Sequence, residues 1–532
     1  MGEAVYDYII VGAGSAGCVL ANRLTKDPNC RVLLLEAGGE SDSPLVRTPA
    51  LYGSLQDSAF DWGDRTPPQA NLNGRRVFLP QGRALGGSSA INYMIYIRGN
   101  RRDYDGWAAA GAQGWSYEDV LTYFRKSEGN RDFSDRFHGV DGPLAVSSHK
   151  PGLLVERYFV AGNEIGLPFN PDFNGETQEG CGPLQATLAD GVRCSAADAF
   201  LAPARRRKNL TTLTHARATR LRFDGRRAVG VDYVRLGSAE TARAESEVIL
   251  SAGALRSPLL LMLSGVGPKA ELDRQGIDVR VHLPGVGKNL QDHLHTRVRC
   301  AITQPLTFGG LDETQKAAAR RQYEKDRSGA LASNFLEAGA FVRLREASPE
   351  LQLFFLAQLA ADYPEAGPTN RHGLTFTAYV NRPRSRGSVS LLSADPLDRP
   401  SVDCNYLADP DDLRLAIEGV QCSLQLLHAK AFDDIRGEEI APGVVAARSL
   451  AEIEAFVRRT ASTTWHPAGT CKMGDDDMAV VDSQLRVQGV TGLRIVDASV
   501  MPTIVSGNTN APVIMIAEKA ADMIRSQSAG AP

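Results

Sequence analysis

Near the amino terminus Gly12, Gly14 and Gly17 fall in the spacing G-x-G-x-x-G, and Glu36 follows 19 residues after the last of them. That set could grip a dinucleotide. The first glycine permits a tight turn, the second lets backbone approach a pyrophosphate, the third lets a helix lie close on a sheet, and the carboxylate meets a ribose hydroxyl. Far along the chain, "TTWHPAGT" (Thr463 to Thr470) holds His466, one of nine histidines in 532 residues, between Trp465 and Pro467. "SGNTNAP" (Ser506 to Pro512) then crowds small polar residues ahead of an apolar run. An imidazole with a pKa near ~6.5 exchanges protons at working pH. From the residues alone two readings stay open here: proton chemistry at His466, or a satisfied core histidine with Asn510 as a helix cap.

The elements that must position these groups can be read around them. Tyr8 to Val11 and "RVLLLE" (Arg31 to Glu36) are buried-strand patterns on either side of a helix, so the glycines lie in a strand-turn-helix-strand unit whose helix amides face phosphate. Glu36 closes the second strand and repels a 2′-phosphate, but FAD and NAD share the fingerprint. A second turn, Gly86-Gly87-Ser88-Ser89, feeds a segment rich in Asn, Tyr and Ile. It suits a cofactor with a second large part, and equally an ordinary turn into a core helix. Ala228 to Ala254 alternates as hairpin strands around Gly237 and ends in a buried strand and a glycine turn. "LQLFFLAQLAA" (Leu351 to Ala361), "LTFTAYVNRPRSRGSVSLLS" (Leu374 to Ser393) and "PSVDCNYL" (Pro400 to Leu407) alternate like antiparallel strands, and Pro410-Asp411 opens an amphipathic helix.

Five stretches carry a resemblance: "DYIIVGAGSAGCVLANRL", "GRALGGSSAIN", "SAGALRSPLLLMLSGVGP", "WHPAGTCKMG" and "RIVDASVMPTIVSGNTNAPVIMIAEKAAD". In this order, over nearly the whole chain, they resemble the glucose-methanol-choline (GMC) oxidoreductases, FAD-dependent alcohol oxidases and dehydrogenases. Ser127 to Ser147 and Asn170 to Gly182 look closest to bacterial primary-alcohol dehydrogenases of the sorbose and polyethylene glycol kind. The resemblance implies an α/β FAD-binding domain of Rossmann-like βαβ type, discontinuous over 1–150, 190–300 and 455–532. An α+β substrate domain with a mostly antiparallel sheet would take 151–189 and 301–454.

Carried over residue by residue, the resemblance places Gly12, Gly14, Gly17 and Glu36 on the ADP half of FAD, and Arg83, Gly86, Ser88 and Asn92 in the loop over the flavin. Asp497 and Ala498 fall near the pyrophosphate and flavin edge, and the catalytic pair falls on His466 and Asn510. Some members tether FAD through a histidine where this chain has Ile91, so FAD is expected to be held without a covalent bond. The implied reaction takes a primary alcohol to an aldehyde, with hydride passing to flavin N5 and the proton to His466. A quinone, a dye or another non-oxygen acceptor takes the electrons; the alternative is an oxidase making hydrogen peroxide, and further alternatives on the same fold are a lyase or a photodecarboxylase. An alcohol ionises only near pH ~16, so free imidazole takes its proton uphill by about 12 kcal/mol. Asn510 would therefore donate to the developing alkoxide, worth about 10²- to 10³-fold.

Composition bounds the rest. A formal charge of −3 gives no bulk case for nucleic acid, and 43% apolar with 23% charged residues is a globular balance. The run Arg205 to Lys208 reads as a solvated cluster. No stretch reaches the ~18 apolar residues of a spanning helix, and no leader is visible, so the expected location is cytoplasmic, peripheral to the inner membrane at most. Eight scattered cysteines suggest neither disulfides nor zinc, and His293 and His295, two apart, lack further ligands at matching spacing, so no metal is expected.

Overall fold

The computed structural model describes residues 4–360, 370–443 and 449–529. Apolar runs buried on both faces make parallel strands, and Ala4–Val11 is the centre of such a sheet. Val32–Leu35 lies on one side, with Tyr8 paired to Val32 and Val11 to Leu35. Ser238–Leu250 lies on the other, with Val11 paired to Leu250. Leu210–Leu213 extends the first side, and Leu493–Ile495 joins Ser238–Leu250 in parallel. The alternating segment around Gly237 forms the expected antiparallel continuation, Ala216–Asp224, Arg227–Arg235 and Ser238–Leu250.

The second large sheet is antiparallel, in the order Arg436–Ala441, Leu294–Ile302, Gly373–Val380, Leu351–Leu356, Ala338–Val342, Gly180–Pro183, with Ser462–Thr463 pairing Leu294–Ile302. Because Leu294–Ile302 pairs along its length with Gly373–Val380, the chain enters this sheet before the expected boundary at 300, and Ser462–Thr463 belongs to it too. Alternation gives the sheet two faces. His295, Arg297, Phe354 and Thr377 face the cavity described below. The other face meets the helix Pro410–Leu427, where Gly419 lies so close that an added Cβ would stand 3.0 Å from Ala378 Cβ. The expected strand at Leu351 ends at Leu356, and Ala361 lies outside the described residues.

The first helix, Ser15–Leu24, packs against the last, Asn510–Ala529. Between them Arg23 Nη2 and Glu518 Oε1 form a buried ion pair at 2.5 Å, and Lys126 Nζ stands 3.3 Å from Glu518 Oε2. Among the described residues no helix is long and apolar enough to cross a membrane. Seven of the eight cysteines are buried, and all eight are free.

A second buried charged group ties the segment after the glycine loops. Arg98 pairs with Glu128, whose other oxygen lies 3.1 Å from His138 Nδ1, while His138 Nε2 lies 2.9 Å from Asp172. Burial alone would lower the His138 pKa, but the hydrogen bonds to Asp172 and Glu128 raise it from 6.5 to about 9. Its protonated ring is therefore a donor at both nitrogens. Of the described residues, Asp135, His138 and Asp172 alone cluster as metal ligands could, and in this structure His138 is engaged by Glu128 and Asp172. A raised pKa means the stabilisation is full below pH 6.5 and lost as the pH climbs through about 9. The wild type is expected to lose on the order of 2 kcal/mol between those limits, and His138→Gln to lose little. Denaturant titrations of both proteins across that window check it.

Candidate active site

Val11, Leu35, Leu250 and Ile495 end at one edge of the parallel strands, where ligands of such sheets sit. Beyond that edge opens a cavity of about 1060 Å³, at the upper end of the usual ~300–1,000 Å³ for ligand pockets. Gly12, Gly14, Glu36, Arg83, Ser88, Asn92, Asp497, Ala498, His466 and Asn510 all line it. Gly17 and Gly86 stand behind the wall. A Cβ on Gly17 would lie 1.9 Å from Gly12 O, and one on Gly86 would meet Ala197 Cβ and Ser195 Oγ at 3.3 Å.

The cradle fits a flavin dinucleotide on its own geometry. The two glycine turns touch backbone to backbone, since a Cβ on Gly87 would lie 2.6 Å from Gly14 Cα. Gly14 caps the first helix without a side-chain hydrogen bond, so its first-turn amides are free for phosphate oxygens. Buried Glu36 accepts from Ala13 N at 3.0 Å and Gly38 N at 2.7 Å, and burial raises its pKa to about 7 against those bonds. Asp497 ties two turns, accepting from Gly253 N at 2.9 Å and Ser257 Oγ at 2.6 Å in one and from Ser499 N at 2.8 Å in its own. Asn92 Oδ1 accepts from Arg193 Nη1 at 2.9 Å and Met94 N at 3.0 Å, fixing its side-chain amide. Ile91 packs with Val46, Leu55 and Ala90 and offers no nucleophile. Acid precipitation of the holoprotein is expected to release all its flavin into the supernatant; yellow colour in the pellet would mean a tether elsewhere.

His466 owes its place to a mismatch in the antiparallel sheet. Gln291 bridges Ala468 and Leu294 pairs with Thr463, so residues 292 and 293 face residues 464 to 467. The excess bulges toward the cavity. Its amides are all met: Thr464 N donates to His293 O at 2.9 Å, Trp465 N to Thr463 Oγ1 at 2.7 Å, and His466 N to Asp292 Oδ1 at 2.7 Å. Pro467 brings no N–H to satisfy. Trp465 takes the left-handed conformation at φ 67°, a cost of about 1–2 kcal/mol, and packs edge-on against Tyr93 with centroids 4.8 Å apart.

The hydrogen bonds fix which nitrogen of His466 carries the proton. His293 Nε2 must donate to Asn381 O at 2.8 Å, because a carbonyl only accepts. Burial lowers the His293 pKa to about 4, so the ring is neutral and its Nδ1 accepts. His466 Nδ1, 2.9 Å away, is then the donor, and His466 Nε2 carries a lone pair. Burial, with His293 adding to it, holds the His466 pKa well below 6.5, so the lone pair persists across the neutral range.

The amide that faces this lone pair is not Asn510. Asn508 Nδ2 lies 3.3 Å from His466 Nε2, whereas Asn510 Oδ1 accepts from Ser15 Oγ at 2.7 Å, where the first and last helices begin. Asn508 is oriented in turn: its Oδ1 accepts from Gln352 Nε2 at 3.4 Å, and Gln352 Oε1 accepts from Tyr379 OH. The expected pair His466 and Asn510 shares the cavity but not a contact. Asn508, Asp292 and the engagement of His293 were missed by the motif reading; "QDHLH" did mark a histidine pair, but as candidate metal ligands. A hydroxyl set between His466 and Asn508 could donate to one and accept from the other.

Models of the family described as GMC oxidoreductase match residues 6–295 and 383–517. An oxygen-dependent choline dehydrogenase of Serratia proteamaculans (strain 568) is 46% identical over 538 residues, 98% of this chain and 96% of the relative. That of Vibrio vulnificus (strain YJ016) is 43% identical over 528 residues, 98% and 94%. Among solved structures, pyridoxine 4-oxidase from Mesorbium loti superposes with a TM-score of 0.90 at 33% identity, covering 98% of this chain and 99% of that one. A formate oxidase variant from Aspergillus oryzae RIB40 gives 0.93 at 29%, covering 99% of each.

Proposed function

The chain belongs to the GMC oxidoreductases, FAD-dependent enzymes that oxidise alcohols, and from that premise we propose that it converts a primary alcohol to the aldehyde with His466 as base. The observation that carries this reading is the unprotonated His466 Nε2 opposite the Asn508 amide. The hydroxyl proton moves to His466 Nε2, and Asn508 Nδ2 donates to the oxygen as negative charge grows on it. FAD, held by the residues below, would supply the acceptor for the hydride. His293 holds the Nδ1 proton of His466 in place, so the imidazolium that forms keeps a hydrogen bond on its far side. Gly12, Gly14, Glu36, Arg83, Ser88, Asn92, Asp497 and Ala498 would hold the cofactor, with Gly17 and Gly86 shaping the turns.

Aromatic faces of Tyr52, Tyr93 and Trp465 line the cavity and suit a cationic or aromatic group beside the carbinol, which puts choline, named for the relatives, in the substrate panel. The test is anaerobic mixing of the yellow protein with choline, primary alcohols, sugars and aryl alcohols. Bleaching near ~450 nm by one class supports alcohol oxidation and identifies the class; no bleaching by any moves the weight to the lyase and photochemical readings. Air then separates the acceptors. Fast recovery means oxygen, which the relatives' printed name favours, and slow recovery means a quinone or another acceptor.

The two asparagines separate cleanly. Asn508→Ala is expected to slow flavin reduction by about 10²- to 10³-fold, the usual cost of one oxyanion donor. Asn510→Ala loses the Ser15 bond at a helix start and is expected to stay within about tenfold. Stopped-flow reduction of both variants checks the order, and a reversed order would return the role to Asn510.

A further inference from the structure

Asp292 plays no part in the proton transfer above, yet its carboxylate binds the backbone amides of both histidines. Its side chain is buried, and four donors converge on it. Oδ1 accepts from His293 N at 3.0 Å and His466 N at 2.7 Å, and Oδ2 accepts from Tyr406 OH at 2.5 Å and from Thr463 Oγ1. His293 and His466 come from chain segments 173 residues apart, and their ladder is interrupted where they sit. One carboxylate oxygen therefore replaces the missing ladder bond for both. We propose that Asp292 is the positioning residue of the His466 and His293 pair: by accepting from both backbone amides it fixes the imidazoles at hydrogen-bond distance and keeps His466 protonated on Nδ1.

The proposal rests on the reading of His466 as base and adds to it the group that aims the base. A misplacement of about 1 Å between reacting groups costs on the order of 10²-fold, so an anchor hydrogen-bonded to the base's own backbone amide controls the rate without touching substrate. Among the described residues Asp292 has no ion-pair partner; its charge is met by hydrogen bonds alone. Burial raises its pKa to about 6 against those bonds. The titratable groups around it are His293, His466, Tyr406 and Cys404, with Asp412 across a small void. Its function is thus that of an acceptor of fixed geometry and not of a counter-ion.

The conservative variant distinguishes these roles. In Asp292→Asn the amide oxygen still accepts from both backbone N–H groups, and its NH2 donates to the Tyr406 and Thr463 oxygens. Holoenzyme of Asp292→Ala is expected to reduce flavin at least ~10²-fold more slowly, with unchanged FAD content and substrate Kd within ~3-fold, and Asp292→Asn to stay within ~10-fold of wild type. Wild-type reduction in Asp292→Ala, or an Asp292→Asn as slow as Asp292→Ala, overturns the proposal. If Asp292→Ala does not fold, Tyr406→Phe takes one donor from Oδ2 while Thr463 Oγ1 keeps its bond to Trp465 N; flavin reduction slowed about tenfold supports the proposal, and wild-type reduction overturns it. Nitrogen-15 spectra of labelled histidine give a readout independent of substrate. His466 is expected to be Nδ1-protonated in wild type and Asp292→Asn, and to shift toward Nε2–H in Asp292→Ala. If no alcohol bleaches the wild type, the base reading fails, while these spectra still decide on Asp292.

Discussion

Flavin reduction in His466→Ala is expected to fall by at least ~10²-fold, and up to ~10⁴-fold, with the full complement of FAD still bound. The imidazole lines the cavity from the antiparallel sheet, and the groups proposed to hold the adenosine and pyrophosphate portions, Glu36, the first-helix amides and Asp497, lie at the carboxyl ends of strands in the other sheet. Removing it deletes the acceptor that, among the described residues, faces the Asn508 amide in a hydrogen bond. A single-turnover reduction measurement at pH 7, with the visible spectrum as the FAD control, checks it. Unchanged kinetics would take His466 out of the mechanism. The pH dependence follows from the same burial. Because the His466 pKa is held well below 6.5, the accepting form does not run out at neutral pH, and the acid limb of the wild-type reduction rate lies below pH 6.5.

Two glycines of the fingerprint should fail in different ways. In Gly17→Ala the new methyl would lie 1.9 Å from Gly12 O, which is backbone and cannot turn aside. The helix must lift off the strand, at a cost above ~3 kcal/mol, and the expected product is apoprotein with little flavin and a lowered Tm. Gly14→Ala meets nothing nearer than 4.0 Å, so the protein itself accommodates it. Its methyl instead takes up room in the cavity, at the turn where backbone would approach the pyrophosphate. Gly14→Ala is expected to keep the Tm of the apoprotein while FAD affinity drops more than ~10-fold. Scanning calorimetry of apoprotein with FAD titration separates the two; full flavin content in Gly17→Ala would show that the helix can shift.

This contrast also explains what could be read in advance. The constraints on Gly12, Gly14, Gly17 and Glu36 act across a few residues of backbone, so spacing alone displays them. Asn508 and Asn510 sit two apart in one turn, and no local rule says which amide reaches a histidine more than forty residues away in the chain. Gly507, at φ 148° with Ile97 against it, sets the direction of that turn, and Ile97 is remote in sequence. Asp292 was hidden for the same reason: its four donors come from residues 293, 406, 463 and 466. Alternation in Leu294–Ile302 fits either sheet, and only its partners in Gly373–Val380 and Ser462–Thr463 decide which one it joins.

The pairing of Arg23 with Glu518 sets an order on biosynthesis. During translation the glycine turn and the first helix leave the ribosome well ahead of the carboxylate that neutralises Arg23, which follows 495 residues later. A buried cation without its partner is strongly unfavourable, so the first helix cannot settle into its final place while the chain is incomplete. Flavin capture therefore waits until residue 518 has been made, and chains truncated before it should be colourless.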